Sequence, residues 1–289
     1  MATLAEWKAG ARPRTLFAAV SPVLIGAAAA GRVEAFSLPR TLLALGVGIG
    51  LQVGVNYAND YSDGIRGADL NRVGPIRLTA SGLARPKQVL AAAFAASAIA
   101  ALLGLWLVAL TGHWWLLAVG AACNGGAWFY TGGRRPFGYA GLGEVGVSVF
   151  FGLVATLGTT FTQANRITWP AVLGAIGTGL IACALLMVNN LRDVQTDAAA
   201  GKRTLAVRIG ERRYRLAYVA CIWLPLLLGL ALAPIAPWAL LVLLLMAPAV
   251  ALSLPVLAGA RGRLLGPVLA GTGLYGLAFG VLLAFGLSV

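Results

Sequence analysis

NYANDYSDGIRGADLNRVGPIRLTASG, from Asn56 to Gly82, is the stretch on which the reading of this chain turns. It continues an apolar run, TLLALGVGIGLQVGV, and carries Asp60, Asp63 and Asp69 in a chain that has only nine acidic residues. If the run stays helical through its polar end, Asn56, Asp60 and Asp63 fall at i, i+4 and i+7 and share one face. Arg66, Arg72 and Arg77 follow, and Gly64, Gly67, Gly74 and Gly82 interrupt regular structure. Oxygen ligands beside arginines are what a divalent metal carrying a phosphate requires. The stretch therefore predicts a metal–diphosphate site at a membrane surface.

Composition sets the surroundings. With 60% hydrophobic residues, 11% charged residues and a mean hydropathy of +0.86, the chain is not an ordinary soluble domain. Apolar runs of about twenty residues recur throughout, which reads as an all-α polytopic membrane protein, a single unit over residues 1–289. The alternation of an outer-membrane β-barrel is absent. Cys123, Cys183 and Cys221 stand singly in apolar segments, so buried thiols are expected rather than disulfides or a CxxC site. Lys8, Arg12 and Arg14 precede a full-length apolar run, so no cleavable signal peptide is expected. The net charge of +13 does not indicate nucleic acid, because the basic residues lie in short loops without interleaved aromatics.

Nine spans are expected, at about 14–31, 40–58, 88–110, 114–131, 141–162, 170–190, 216–233, 236–257 and 267–287. With this count every basic residue except Arg32, Arg40 and Arg166 falls on one side of the bilayer. The positive-inside rule then makes the N-terminus cytoplasmic and the C-terminus external. Two cytoplasmic loops, about 59–87 and 191–215, are long and hold most of the polar chemistry, as functional loops do.

The second of these reads NNLRDVQTDAAAGKRTLAVRIGERR, Asn189 to Arg213. Asn189, Asp193 and Asp197 are four residues apart and can share a helix face, with Asn190 offset on the same side. Lys202 and Arg203 follow, as arginines follow the first stretch. A solvated helix end would also account for one DxxxD pair, but acids in two matching contexts near lipid are costly and call for a function. Two facing pairs can bind Mg²⁺, which uses few carboxylates plus substrate phosphates and water. The one histidine, His113, lies on the other side and supports no zinc site.

These residues resemble the UbiA-type intramembrane prenyltransferases, which carry an NDxxD-containing motif after the second helix and DxxxD after the sixth of a nine-helix bundle. Here the motifs are Asn59-Asp60-Tyr61-Ser62-Asp63 and Asp193-Val194-Gln195-Thr196-Asp197, and the resemblance covers essentially the whole chain. The family's third acid is displaced, Gly67 standing at its spacing and Asp69 two residues on. Arg72, Gly74, Pro75 and Arg77, the opening WKAGARPRTLFAAVSPVLIG and the segment Tyr130 to Val147 resemble the branch that prenylates 1,4-dihydroxy-2-naphthoate. The resemblance implies a multi-pass protein of the bacterial inner membrane with a cytoplasm-facing active site. Its implied reaction transfers a polyprenyl group from polyprenyl diphosphate to the naphthoate, losing carbon dioxide and diphosphate and forming demethylmenaquinone. The lipid-facing pattern defines no oligomeric state.

Under this resemblance Asp60, Asp63, Asp193 and Asp197 are the expected Mg²⁺ ligands, supported by Asn56 and Asn190. Arg66, Lys202 and Arg134 are candidates for the diphosphate, with Arg77 and Arg203 behind them. Tyr130 and Arg134 stand where related enzymes carry a tyrosine-to-lysine element, though an orientation arginine fits Arg134 equally. Glu144 and Tyr139 either orient the aromatic acceptor or are hydrogen-bonded structural groups. Metal and basic side chains stabilise the departing diphosphate, and the ring attacks the allylic cation. Other acceptors such as 4-hydroxybenzoate remain open. So does a cation- or proton-coupled transporter, which would place carboxylates at mid-membrane in broken helices. The runs of a CDP-alcohol phosphatidyltransferase are missing.

Overall fold

Apolar runs in lipid must satisfy every backbone group internally, and here they do so as helices. The computed structural model describes residues 2–67, 76–199 and 201–289. A short helix α1 (Leu4–Gly10) leads into α2 (Phe17–Gly31), followed by α3 (Leu38–Ile65), α4 (Pro86–Thr111) and α5 (Leu116–Phe129). The next rod joins α6 (Gly143–Val147), a π-helical stretch Ser148–Val154 and α7 (Ala155–Ala164). Then come α8 (Trp169–Ala199), the short α9 (Leu205–Ile209) and α10 (Glu211–Leu232). A 3₁₀ stretch Pro237–Leu245 leads into α11 (Met246–Leu257), and α12 (Leu265–Ser288) ends the chain.

Each of the nine expected segments is helical among the described residues. Among the described residues seven helices are long and apolar enough to cross a membrane, or eight if α1 and α2, bent by 48°, count as one span. The 14 residues of α5 rise only about 21 Å, less than a hydrocarbon core of roughly 30 Å.

Two helices run beyond their expected ends. α3 continues past residue 58 to Ile65, and α8 past residue 190 to Ala199. Neither polar segment contains proline, and the next left-handed glycines are Gly67 (φ 71°) and Gly201 (φ 74°). Both acidic stretches therefore stand on helices rather than in loops, which is a more rigid mounting for a site.

α8 runs through the bundle and packs against α2, the π-helical stretch, α10 and α12, while α3 pairs with α4. The main core lies around α8, α10 and α12, with Tyr214, Tyr218 and Phe279 fully buried. All three cysteines are free. Small residues let the backbones approach, as expected where lipid gives helices no hydrophobic reason to associate. At Gly152, in the π-helical stretch, an added Cβ would lie 2.6 Å from Gly179 Cα and 2.7 Å from the Ala175 carbonyl oxygen. Backbone cannot move aside as a side chain does. Gly152→Ala is expected to destabilise the bundle by about 1–3 kcal/mol, read as a lower unfolding temperature in detergent; an unchanged temperature would contradict this packing.

Candidate active site

α2, α3, α4, α5, the α6–α7 rod and α8 surround a cavity of about 1330 Å³ whose walls change in character along its length. One end is lined by Val23, Ala44, Leu107 and Val108, the other by Asn59, Asp63, Asn189, Asp193 and Asp197. The oxygen donors thus stand at the mouth of an apolar chamber.

The helical phase of α3 decides which donors face inward. Asn56, Asn59 and Asp63 line the cavity, and Asp63 is only 4% exposed. Asp60, one residue round the helix from Asn59, does not line it. Its carboxylate accepts the backbone N–H groups of Leu78 (2.8 Å) and Thr79 (2.9 Å), one on each oxygen. Asp60, expected on a metal-facing surface with Asn56 and Asp63, stands away from the cavity wall, and its carboxylate pins the segment leading into α4. Asn59 takes the cavity position, and Thr131 Oγ1 donates to its Oδ1 at 2.6 Å. Asn56 faces the cavity too, but its Nδ2 donates to the Ala11 carbonyl (2.9 Å) and to Thr15 Oγ1 (3.0 Å), so it also straps the α1–α2 elbow to α3.

On α8, Asn189, Asp193 and Asp197 follow one another by a helical turn, and all line the cavity. Arg192 grips Asp193 with both prongs, Nε to Oδ1 and Nη2 to Oδ2 at 2.8 Å each, and Nη2 reaches Asn189 Oδ1 at 2.7 Å. Lys202 Nζ lies 3.3 Å from Asp63 Oδ2 and 3.8 Å from Asp197 Oδ1. These two oxygens, from stretches 134 residues apart in sequence, are therefore no more than about 7 Å apart. Arg77 Nη2 is 3.8 Å from Asp63 Oδ2.

The loop between α5 and α6 closes the polar end. Tyr139 donates its hydroxyl to Asp63 Oδ1. Burial, and after it the adjacent Asp63 charge, push this phenol above its ordinary range, so it stays protonated and acts as donor. Lys202 Nζ sits 4.7 Å from the ring centroid of Tyr139 and the Arg66 guanidinium 5.5 Å from it, both as cation–π contacts.

Other expected residues are placed differently. Arg66 donates to the carbonyls of Thr131 and Gly133 and is absent from the cavity wall, so its guanidinium ties α3 to the loop. Arg134 and Arg203 are exposed and away from the wall. Tyr130 lines the cavity and meets Phe137 edge-on at 5.4 Å. Glu144 lies behind the wall, where its Oε1 accepts from Asn190 Nδ2 (3.1 Å) and from the Tyr214 hydroxyl. Asn190 Nδ2 also donates to Tyr214 at 3.1 Å, so Glu144 and Tyr214 together fix the cavity-facing amide of Asn190. Asp69, Arg72, Gly74 and Pro75 lie outside the described residues.

Thr131 and Arg192 line the cavity and were not singled out in the sequence, whereas Asn59 and Asn189, named there as a motif member and a helix-face member, take cavity positions. The two asparagines had a signal, since N-x-x-x-D occurs at both 59–63 and 189–193. Arg192 had none, because neighbours in a helix do not ordinarily face each other.

The donor set is all oxygen, with no imidazole or thiolate, which suits Mg²⁺ rather than a softer ion. Among the described residues no three His, Cys, Asp or Glu side chains converge as a ready-made cage. That fits an ion held by one or two carboxylates and completed by substrate phosphates.

The chain is similar to known proteins over most of its length. Residues 19–263 match the UbiA prenyltransferase family. The chain is 50% identical over 290 residues to the 1,4-dihydroxy-2-naphthoate octaprenyltransferase of Mycobacterium tuberculosis, covering 99% of each. It is 38% identical over 232 residues to the enzyme of that name from Escherichia coli, covering 78% of this chain and 75% of the other. A UbiA homolog from Archaeoglobus fulgidus, solved bound to DMAPP and Mg²⁺, shares the fold at a TM-score of 0.66 and 13% identity, covering 96% of this chain and 99% of the other. The apo UbiA homolog from Aeropyrum pernix K1 superimposes at 0.69 with 15% identity, over 93% and 96% of the two chains. From its apolar chamber and paired acidic helix ends to its sequence relatives, this chain belongs to the UbiA prenyltransferase family.

Proposed function

We propose that the protein transfers a polyprenyl group from polyprenyl diphosphate to 1,4-dihydroxy-2-naphthoate, releasing diphosphate and carbon dioxide and forming the demethylmenaquinone skeleton in its quinol form. The observation that carries this is Lys202 bridging Asp63 and Asp197 at the mouth of an apolar chamber, which brings both acidic stretches to one point. The 50% identical relative carries the name of this activity.

Asn59 and Asp63 on α3, and Asn189, Asp193 and Asp197 on α8, would hold Mg²⁺ ions, with one or two carboxylates to each ion. When bound, the ion neutralises charge on the phosphate oxygens and eases departure of the diphosphate. Lys202 and Arg77 stand against Asp63, and Arg192 against Asp193, so each cation is within reach of a diphosphate bridging the two helices. Tyr139 holds Asp63 in place through its hydroxyl. Asp60 and Arg66 keep the segments around the mouth in register rather than touching substrate. The apolar walls exclude water from the allylic cation. The allylic carbon–oxygen bond breaks with its electrons going to the diphosphate. The ring carbon bearing the carboxylate supplies the pair for the new carbon–carbon bond. Loss of carbon dioxide from the carboxylate returns a pair to the ring.

The reading includes nine crossings in a single unit over residues 1–289, with the bent α1–α2 pair and the short α5 each counted as one. Strongly asymmetric basic loops support a cytoplasmic N-terminus and a cytoplasm-facing site in the inner membrane.

The test is a turnover assay on purified protein in nanodiscs. Dihydroxynaphthoate and polyprenyl diphosphate should yield carbon dioxide and diphosphate in equal amounts. EDTA should lower the rate by about 10²-fold or more, as loss of an electrostatic clamp does, and added Mg²⁺ should restore it. Prenylation of 4-hydroxybenzoate in place of the naphthoate would overturn the acceptor assignment, and ion uptake without prenyl transfer the enzyme assignment.

A further inference from the structure

Arg12 occupies an unusual position. It precedes Pro13, a context that disfavours α conformations, yet its backbone is left-handed at φ 52°, ψ 67°. Its neighbours hold it there. Asn56 Nδ2 donates to the Ala11 carbonyl at 2.9 Å, and Thr15 Oγ1 accepts from Asn56 (3.0 Å) and from Gln52 Nε2 (3.1 Å). A strained non-glycine residue persists only where the surroundings over-determine it, and such strain gathers at ligand-binding positions.

The side chain is equally out of the ordinary. Arg12 lines the cavity, and its Nη2 is buried with no hydrogen-bond partner. The other lining cations among the described residues are accounted for. Arg77, Arg192 and Lys202 are paired with aspartates, and Arg14 and Arg263 are exposed to solvent. A buried guanidinium N–H with no acceptor is costly, and a bound anion relieves that cost.

We propose that Arg12 is the specificity-determining residue that binds the carboxylate of the aromatic acceptor. This rests on the acceptor reading above. The diphosphate already has Lys202, Arg77 and Arg192 around the aspartates. Arg12 enters from another wall, on the elbow strapped to Asn56, seven residues or about 10 Å along α3 from Asp63. A carboxylate held on Arg12 keeps the ring carbon that bears it, which is the attacking carbon, beside the allylic carbon and clear of the diphosphate at the aspartates. The amides of Gln52 and Asn56 line the wall beside Arg12.

Binding of 1-hydroxy-2-naphthoate and of 1-naphthol, which lacks the carboxylate, tests this through quenching of tryptophan fluorescence in the full-length protein. Wild-type protein should favour the carboxylate by about 10-fold or more, the size of one charge-assisted pair. Arg12→Gly, which accepts the left-handed backbone, should erase the preference, leave 1-naphthol binding in place and unfold at an equal or higher temperature. Arg12→Lys should keep part of the preference. In turnover, KM for dihydroxynaphthoate should rise in Arg12→Gly while KM for the prenyl diphosphate stays within about 3-fold. A preference that survives in Arg12→Gly overturns the proposal and leaves the acceptor reading standing. A rise confined to the diphosphate KM does the same and assigns Arg12 to the donor. No carboxylate preference in the wild-type protein overturns the acceptor reading together with the role of Arg12.

Discussion

Asp63→Asn is expected to lower prenyl transfer by about 10³-fold, roughly 4 kcal/mol of transition-state stabilisation, while the fold survives. Asp63 lines the cavity, accepts from Tyr139, and sits 3.3 Å from Lys202 and 3.8 Å from Arg77. Asparagine keeps one oxygen but removes the charge that a divalent ion and Lys202 both require. Asp60→Asn, three residues earlier, should behave in the opposite way. Asp60 is 1% exposed, and its two oxygens take the N–H groups of Leu78 and Thr79. An asparagine offers one acceptor and turns an NH₂ toward the other N–H. One charge-assisted bond is lost and a buried donor is left unmet, at a cost of about 2–3 kcal/mol. Single-turnover rates in nanodiscs, set beside unfolding temperatures, separate the two outcomes. If Asp60→Asn unfolds like wild type yet loses as much turnover as Asp63→Asn, Asp60 belongs with the metal ligands after all.

Gly158→Trp is expected to divide donors by length. Gly158 lines the cavity, and a Cβ built there meets nothing within 4 Å. It lies 15 residues along the α6–α7 rod from Gly143, about 22 Å from the polar mouth. An indole at that depth fills space that a long polyprenyl tail needs and a two-unit tail does not reach. kcat/KM for octaprenyl diphosphate should fall by about 10²-fold, a loss of ~3 kcal/mol, with geranyl diphosphate nearly unaffected. Equal losses for both donors would show that the tail leaves the site by another route. Gly152, on the same rod, gives the contrast: its Cβ position is filled by backbone atoms of α8. The same residue type serves close packing at one position and open volume at the other.

How much of this was legible beforehand follows from which forces act locally. Lipid demands internally satisfied backbone, so the apolar runs alone located the helices, the Pro- and Gly-marked breaks and the two polar ends. The helix period placed Asp63 with its neighbours on one side and Asn189, Asp193 and Asp197 on another, because that spacing is a property of the local chain. Helix phase relative to the bundle is not local. Whether Asn59 or Asp60 faces the cavity depends on where the segment after α3 returns, and the amides of Leu78 and Thr79 capture Asp60. Arg66 and Arg192 are likewise basic residues in a basic loop until tertiary contacts commit one to loop carbonyls and the other to Asp193.

The sequence by itself therefore determined a helical membrane protein with two oxygen-donor helix ends, since hydrophobic length and helical period are written residue by residue. Tertiary structure alone decided which donors converge, which cations hold them and that Arg12 lines the cavity with its Nη2 buried and without a hydrogen-bond partner. Those outcomes depend on the apposition of side chains far apart in sequence, Asp63 and Asp197 across Lys202 above all.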